Sequence, residues 1–110
     1  MKQYVIDQLR ESDYLKILDF LERNARSTFM EGLFQLDLPR HLYSDIQLDH
    51  RDCQPYYIAV NLNRNRVAFE WLIRSREKLR CQCIAYADPG QRSYIIDFAD
   101  GMLEQLGIKI

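Results

Sequence analysis

Glycine is scarce and scattered in this chain. Only Gly32, Gly90, Gly101 and Gly107 occur among its 110 residues. No phosphate-cradling cluster can be built from them, so P-loop and dinucleotide-binding readings fail. There is no G-x-S-x-G turn to expose a serine nucleophile. Long apolar runs are also missing: the longest are about five residues, against the roughly 20 needed to span a bilayer, so no membrane partner is expected. The opening MKQYVIDQLRES carries charges throughout and no apolar segment, so no secretory signal is read and a cytoplasmic location is expected. Three cysteines form an odd set, in a chain large enough to need no disulfide framework. No charge of one sign dominates either, with 15 Lys+Arg against 16 Asp+Glu.

What is present is an ordinary globular composition, 47% hydrophobic and 28% charged. The length supports a single domain over residues 1–110. An N-terminal helix is expected from about Asp13 to Arg26, with Ser12 and Asp13 as N-cap oxygens. Leu15, Leu18, Leu21 and Ala25 repeat at helical spacing, and Tyr14, Ile17 and Phe20 widen that stripe. A C-terminal helix starts at Asp88-Pro89-Gly90-Gln91, which fits a capping box with proline at the first helical position. Tyr94, Ile95, Phe98, Ala99, Met102 and Leu106 follow at spacings of three and four, and Gly107 supplies the left-handed stop. Gly101 inside that helix costs about 1 kcal/mol relative to Ala, which suggests a close backbone approach there.

Between the helices, Tyr56–Leu62, Val67–Ile73 and Leu79–Ala87 alternate at period two and read as a β-meander. The first hairpin pairs Leu62 with Val67, Val60 with Phe69 and Ile58 with Trp71. In the second, matched apolar faces set Ile73 opposite Leu79, Trp71 opposite Cys81 and Phe69 opposite Cys83. Gly32–Leu38 reads as a fourth, edge strand ended by Pro39, and Arg40–His50 as a short helix. The expected fold is therefore α+β: an antiparallel three- to four-stranded β-meander with the N- and C-terminal helices packed on one face.

The sharpest chemical feature is His50-x-x-Cys53 together with Cys81-x-Cys83. One imidazole and three thiolates form an accepted zinc set, and residues two apart on a strand point the same way. Paired C-x-x-C knuckles are absent, however. Small buried cysteines opposite Phe69 and Trp71 on an inward strand face are explained by packing alone, so the expectation is no metal and no cofactor. A His50–Cys53 nucleophilic pair lacks a third orienting group, so no catalytic residue is assigned. Glu70 reads as a half-exposed partner of Gln82 across the strands. Six cations against two acids between Arg64 and Arg80 give a local +4. The nearly neutral chain nevertheless lacks the usual nucleic-acid footprint.

The outer face of the meander is more informative. Tyr57, Leu72, Arg74, Arg80, Ile84 and Tyr86 give it the mixture of Tyr, Arg and aliphatics typical of a protein interface. The alternative is cover from the chain itself, by residues 27–55 or by the N-terminal helix. The sequence thus points to a small non-enzymatic interaction or regulatory protein that pairs with itself, as a homodimer, or with another protein. The alternative is a zinc- or nucleic-acid-binding module using the Cys/His or Arg-rich groups.

Overall fold

The computed structural model describes residues 2–110. It is α+β, with seven strands: β1 (Gln3–Ile6), β2 (Arg26–Ser27), β3 (Leu33–Asp37), β4 (Tyr56–Asn63), β5 (Arg66–Glu70), β6 (Leu72–Ser75) and β7 (Ala85–Tyr86). The helices are α1 (Glu11–Asn24), α2 (Asp45–Asp49) and α3 (Pro89–Leu106). Every strand pair is antiparallel. The main path runs β1-β5-β4-β3-β2, and β6 pairs with β4 and β7. Three or four strands was therefore an undercount. Two strands were missed because they are short, β1 with four residues and β2 with two, too few to establish a period, and Val67–Ile73, read as one strand, divides into β5 and β6.

The β4–β5 hairpin has the expected register, with Leu62 opposite Val67 and Val60 opposite Phe69. Further along, the register shifts. Between the pairs Val60–Phe69 and Tyr57–Arg74, β4 advances three residues while its neighbour advances five. The two extra residues make an irregularity around Trp71, and an even insertion keeps the side chains on their original faces. Trp71 leaves the ladder to serve other partners. Its N–H donates to the Lys2 carbonyl at 3.0 Å, and its carbonyl accepts from Ala87 N–H at 2.8 Å. Its ring lies 6.0 Å from that of Tyr4, and the Arg92 guanidinium stands 5.8 Å above it.

Tyr56, Ile58, Val60 and Leu62 of β4 belong to one buried cluster with Phe34 and Leu36 of β3 and Val67 and Phe69 of β5. Ile17, Phe20 and Leu21 of α1 and Ile95, Ala99, Met102 and Leu103 of α3 join them. Phe98 meets both Phe20 and Phe69 edge-on. Helix α1 begins two residues earlier than expected, at an Arg10 N-cap. Asp13 is its third residue, and its carboxylate reaches back to the Arg10 N–H at 3.0 Å. The widening residues Ile17 and Phe20 are core, whereas Leu15 is exposed. Helix α3 starts and stops as read, with the Asp88–Gln91 box, Pro89 in the first turn and Gly107 at φ +70°. Gly101 meets nothing within 4 Å, so no close approach explains it.

Residues 27–55 contain the strand at the expected place, but β3 lies between β4 and β2 rather than on a bare edge. Arg40–His50 is broken into a 3-10 turn, Arg40–Leu42, and the short α2. Gly32 is required where it stands. Its φ is +79°, and a Cβ there would lie 2.6 Å from the Leu62 carbonyl oxygen.

Candidate metal centre

The largest departure from the sequence reading is the second hairpin. β6 pairs with β7 through Leu72–Tyr86 and Ile73–Ala85, not through Ile73–Leu79. Residues 76–84 are consequently a loop, and Leu79, read as inward, is 98% exposed. Ser75 explains the break. Its hydroxyl accepts from the N–H groups of Glu77 (3.2 Å) and Lys78 (3.1 Å), a side-chain turn that competes with the ladder. The same hydroxyl donates to the Cys53 carbonyl. One buried serine thus ties the loop carrying Cys81 and Cys83 to the turn carrying Cys53.

The other half of the site comes from the end of α2. His50 is its C-cap, with its N–H donating to Ile46 O at 3.1 Å. A 3-10 turn, Arg51–Cys53, follows directly, and Cys53 N–H returns to His50 O at 3.0 Å. This turn brings the Cys53 thiol alongside the imidazole. Across from it, Ile84 N–H closes a turn on Cys81 O at 3.1 Å, which places Cys81 and Cys83 on one tight corner.

The strand face expected to carry Cys81 and Cys83 therefore does not form, although Cys53 and Cys83 do belong to the buried core and Cys81 packs against it. Cys83 is buried and Cys81 only half-buried, and neither lies in a strand. Instead, one donor atom from each of His50, Cys53, Cys81 and Cys83 lies within 4.8 Å of all the others. His50 Nδ1 stands 3.1 Å from Cys81 Sγ. In a tetrahedral zinc–thiolate centre with bonds of about 2.3 Å, neighbouring sulfurs sit roughly 3.8 Å apart, within that span.

The electrostatics fit the same picture. Burial, then the adjacent Cys83 and Cys81, pushes the Cys53 thiol up to about 11. The Cys83 backbone and thiol, with His50 and Cys53 following, draw Cys81 down to about 6. Three sulfurs this close repel one another when ionised, so one ionises at the expense of its neighbour. A divalent cation allows all three to ionise together.

A buried amide network positions this corner. Gln47, 2% exposed, donates from Nε2 to the Cys83 carbonyl at 3.2 Å. Its Oε1 accepts from Ser44 N–H and from Gln91 Nε2, both at 2.9 Å. Gln91 Nε2 also donates to Leu42 O at 2.9 Å. Gln47 and Gln91 are the third residues of the two capping boxes, Ser44–Gln47 and Asp88–Gln91, so two helix starts share one polar junction. The first of these boxes was legible as S-x-x-Q, yet sequence reasoning passed over Gln47.

The residues expected to form an interface are divided by the altered strand. Tyr57 stands opposite Arg74, and Leu72 opposite Tyr86, so these four keep a common face. Arg80 lies in the loop, and Ile84, just before β7, packs against the core. Neither takes the outer strand position expected of it, because the strand from Leu79 does not form. Gln82 is likewise in the loop, so Glu70 has other partners. At 7% exposed, it accepts from Asn61 Nδ2 at 3.3 Å and pairs with Arg74 at 3.2 Å. Among the described residues, no helix is long and apolar enough to cross a membrane. Comparison with family models, with curated proteins and with solved structures finds no match to this chain.

Proposed function

We propose that the chain is a zinc-binding, non-enzymatic domain in which His50, Cys53, Cys81 and Cys83 hold one Zn2+ as part of the fold. The observation carrying this reading is the mutual 4.8 Å approach of one imidazole nitrogen and three sulfurs from separate turns. Three soft thiolates and an imidazole favour zinc over the hard cations, which take oxygen ligands. Four protein ligands complete a tetrahedron and leave no open position for substrate, the pattern of structural rather than catalytic zinc. The metal braces the end of α2 against the loop 76–84, whose outer side presents Lys78, Leu79 and Arg80 to solvent.

The test is metal analysis of protein purified without added zinc, repeated on Cys83→Ser. One zinc per chain in the wild type, its loss in the variant, and a lowered melting temperature on chelation support the reading. A wild type that neither carries zinc nor takes it up in titration overturns it.

A second reading, association through the sheet, is favoured by one observation: Tyr57, Leu72, Arg74 and Tyr86 share a face. It takes the two long helices to cover the opposite side, leaving this one for a second copy of the chain. On that reading, Leu72→Glu lowers the native mass to that of one chain with the circular dichroism unchanged, because a charge would have to be desolvated in the contact. A wild type that is monomeric at high concentration removes the reading.

A further inference from the structure

The four ligands are not equally sheltered. Cys53 is 1% exposed and Cys83 fully buried, whereas Cys81 reaches the surface. A cavity of about 480 Å³ opens onto Cys81, with Cys53 and His50 also in its wall. Its remaining lining is two cations, Arg51 and Lys78, against two anions, Asp49 and Asp52. Balanced charge gives no steering to an ionic reagent, and the opening suits a small neutral one. The reactive group at its inner end is a sulfur, and thiolate sulfur reacts readily with peroxides when accessible.

We infer that Cys81 is an oxidation site: a neutral hydroperoxide enters this cavity, oxidises the Cys81 sulfur, and the metal is released as a Cys53–Cys81 disulfide forms. This inference rests on the zinc reading above. In the first step the Cys81 sulfur bonds to the terminal oxygen of the hydroperoxide and the O–O bond breaks. The alkoxide or hydroxide that departs takes a proton from water. Cys81 becomes a sulfenic acid, oxidised by two electrons, and the hydroperoxide is reduced to an alcohol or water. In the second step Cys53, which lines the same cavity, attacks the Cys81 sulfur. The S–S bond forms, the S–O bond breaks, and hydroxide leaves with a proton as water. Overall, two thiolates, one hydroperoxide and two protons give a disulfide, an alcohol (or water) and water. Zinc does not change oxidation state. With only His50 and Cys83 remaining, it dissociates. Cys53 is assigned as the resolving sulfur because it faces the cavity, whereas Cys83 is not among its lining residues.

The experiment uses the intact wild-type protein as purified, so no variant has to fold. Its metal content is measured first, as purified and after titration with zinc, and protein that neither carries zinc nor takes it up refutes the zinc reading itself. Zinc-loaded protein is then treated with one equivalent of hydrogen peroxide, with a colorimetric chelator reporting free zinc and a sample without oxidant as control. Parallel samples carry dimedone to trap sulfenic acid and are mapped by peptide mass spectrometry. The expected result is peroxide-dependent loss of the whole zinc complement, dimedone at Cys81 alone, and a Cys53–Cys81 disulfide where dimedone is omitted. Zinc retained under peroxide, equal release without oxidant, first labelling at Cys53 or Cys83, or a disulfide through Cys83 each overturns the inference while leaving the zinc centre standing.

Discussion

Gln47→Ala tests whether the amide junction holds the Cys83 corner together. The substitution removes the partners of three groups: the Ser44 N–H, the Cys83 carbonyl and one of the two Gln91 side-chain N–H groups. The other Gln91 donor keeps Leu42 O. Ser44 is half-buried and can turn to water, so its share is small. Cys83 and Gln91 are buried, and each orphaned group there costs about 1–3 kcal/mol. The expected loss is therefore about 3 kcal/mol, a large fraction of the roughly 5–15 kcal/mol that holds a typical domain folded. Urea unfolding of the zinc-loaded proteins measures it, with Gln47→Met as a control that keeps side-chain volume but lacks the amide. Zinc affinity should fall as well, about tenfold for each 1.4 kcal/mol of the loss that falls on the Cys83 corner. A loss below about 1 kcal/mol in both variants, with unchanged zinc affinity, would refute the argument, because the orphaned groups would then have found other partners.

Gly32→Ala should destabilise by about 2–3 kcal/mol in a thermal melt, since it combines a left-handed backbone with a Cβ driven into the Leu62 carbonyl. A loss of only a few tenths would mean that the β3 turn relaxes freely. Asp88→Ala should cost about 1 kcal/mol through the lost bond to Gln91 N–H, 2.8 Å in length, with zinc content unchanged. Amide exchange of Gln91 is the local check: no increase in its rate would contradict the cap.

The two long helices and the first hairpin were legible because their signals are local. Asp88, Pro89, Gln91 and Gly107 each act within one turn of the helix they bound. The β4–β5 register follows from alternation in residues adjacent in the chain. The second hairpin misled because alternation continues through Leu79, Cys81 and Cys83 although the backbone leaves the sheet. Periodicity counts side chains and ignores the Ser75 hydroxyl, which supplies the turn that ends the strand. The same misplaced strand hid the approach of His50 to the three cysteines. Once the cysteines were set on an inward strand face, packing explained them, and His50 and Cys53 were left without company. The ligand types and both local spacings were in view, but the distance between the two pairs was set by a loop no pattern describes. β1 was missed for another reason: its partners lie far along the chain, Gln3 opposite Glu70, and four residues carry too little pattern to announce such a pairing.

Trp71 is the only tryptophan of the chain, and it stands where the ladder is interrupted. Its N–H holds the strand that opens the fold, and its carbonyl holds the residue just before Asp88, where α3 begins. Excited beyond the absorption of the seven tyrosines, its fluorescence is thus a single-site signal. Loss of the β1 connection, opening of the β6–β7 pair below the cysteine loop, or movement of Arg92 at the start of α3 each changes the surroundings of the same indole. One unlabelled emission spectrum therefore follows the junction of three elements at once, in the native sequence and without an introduced probe.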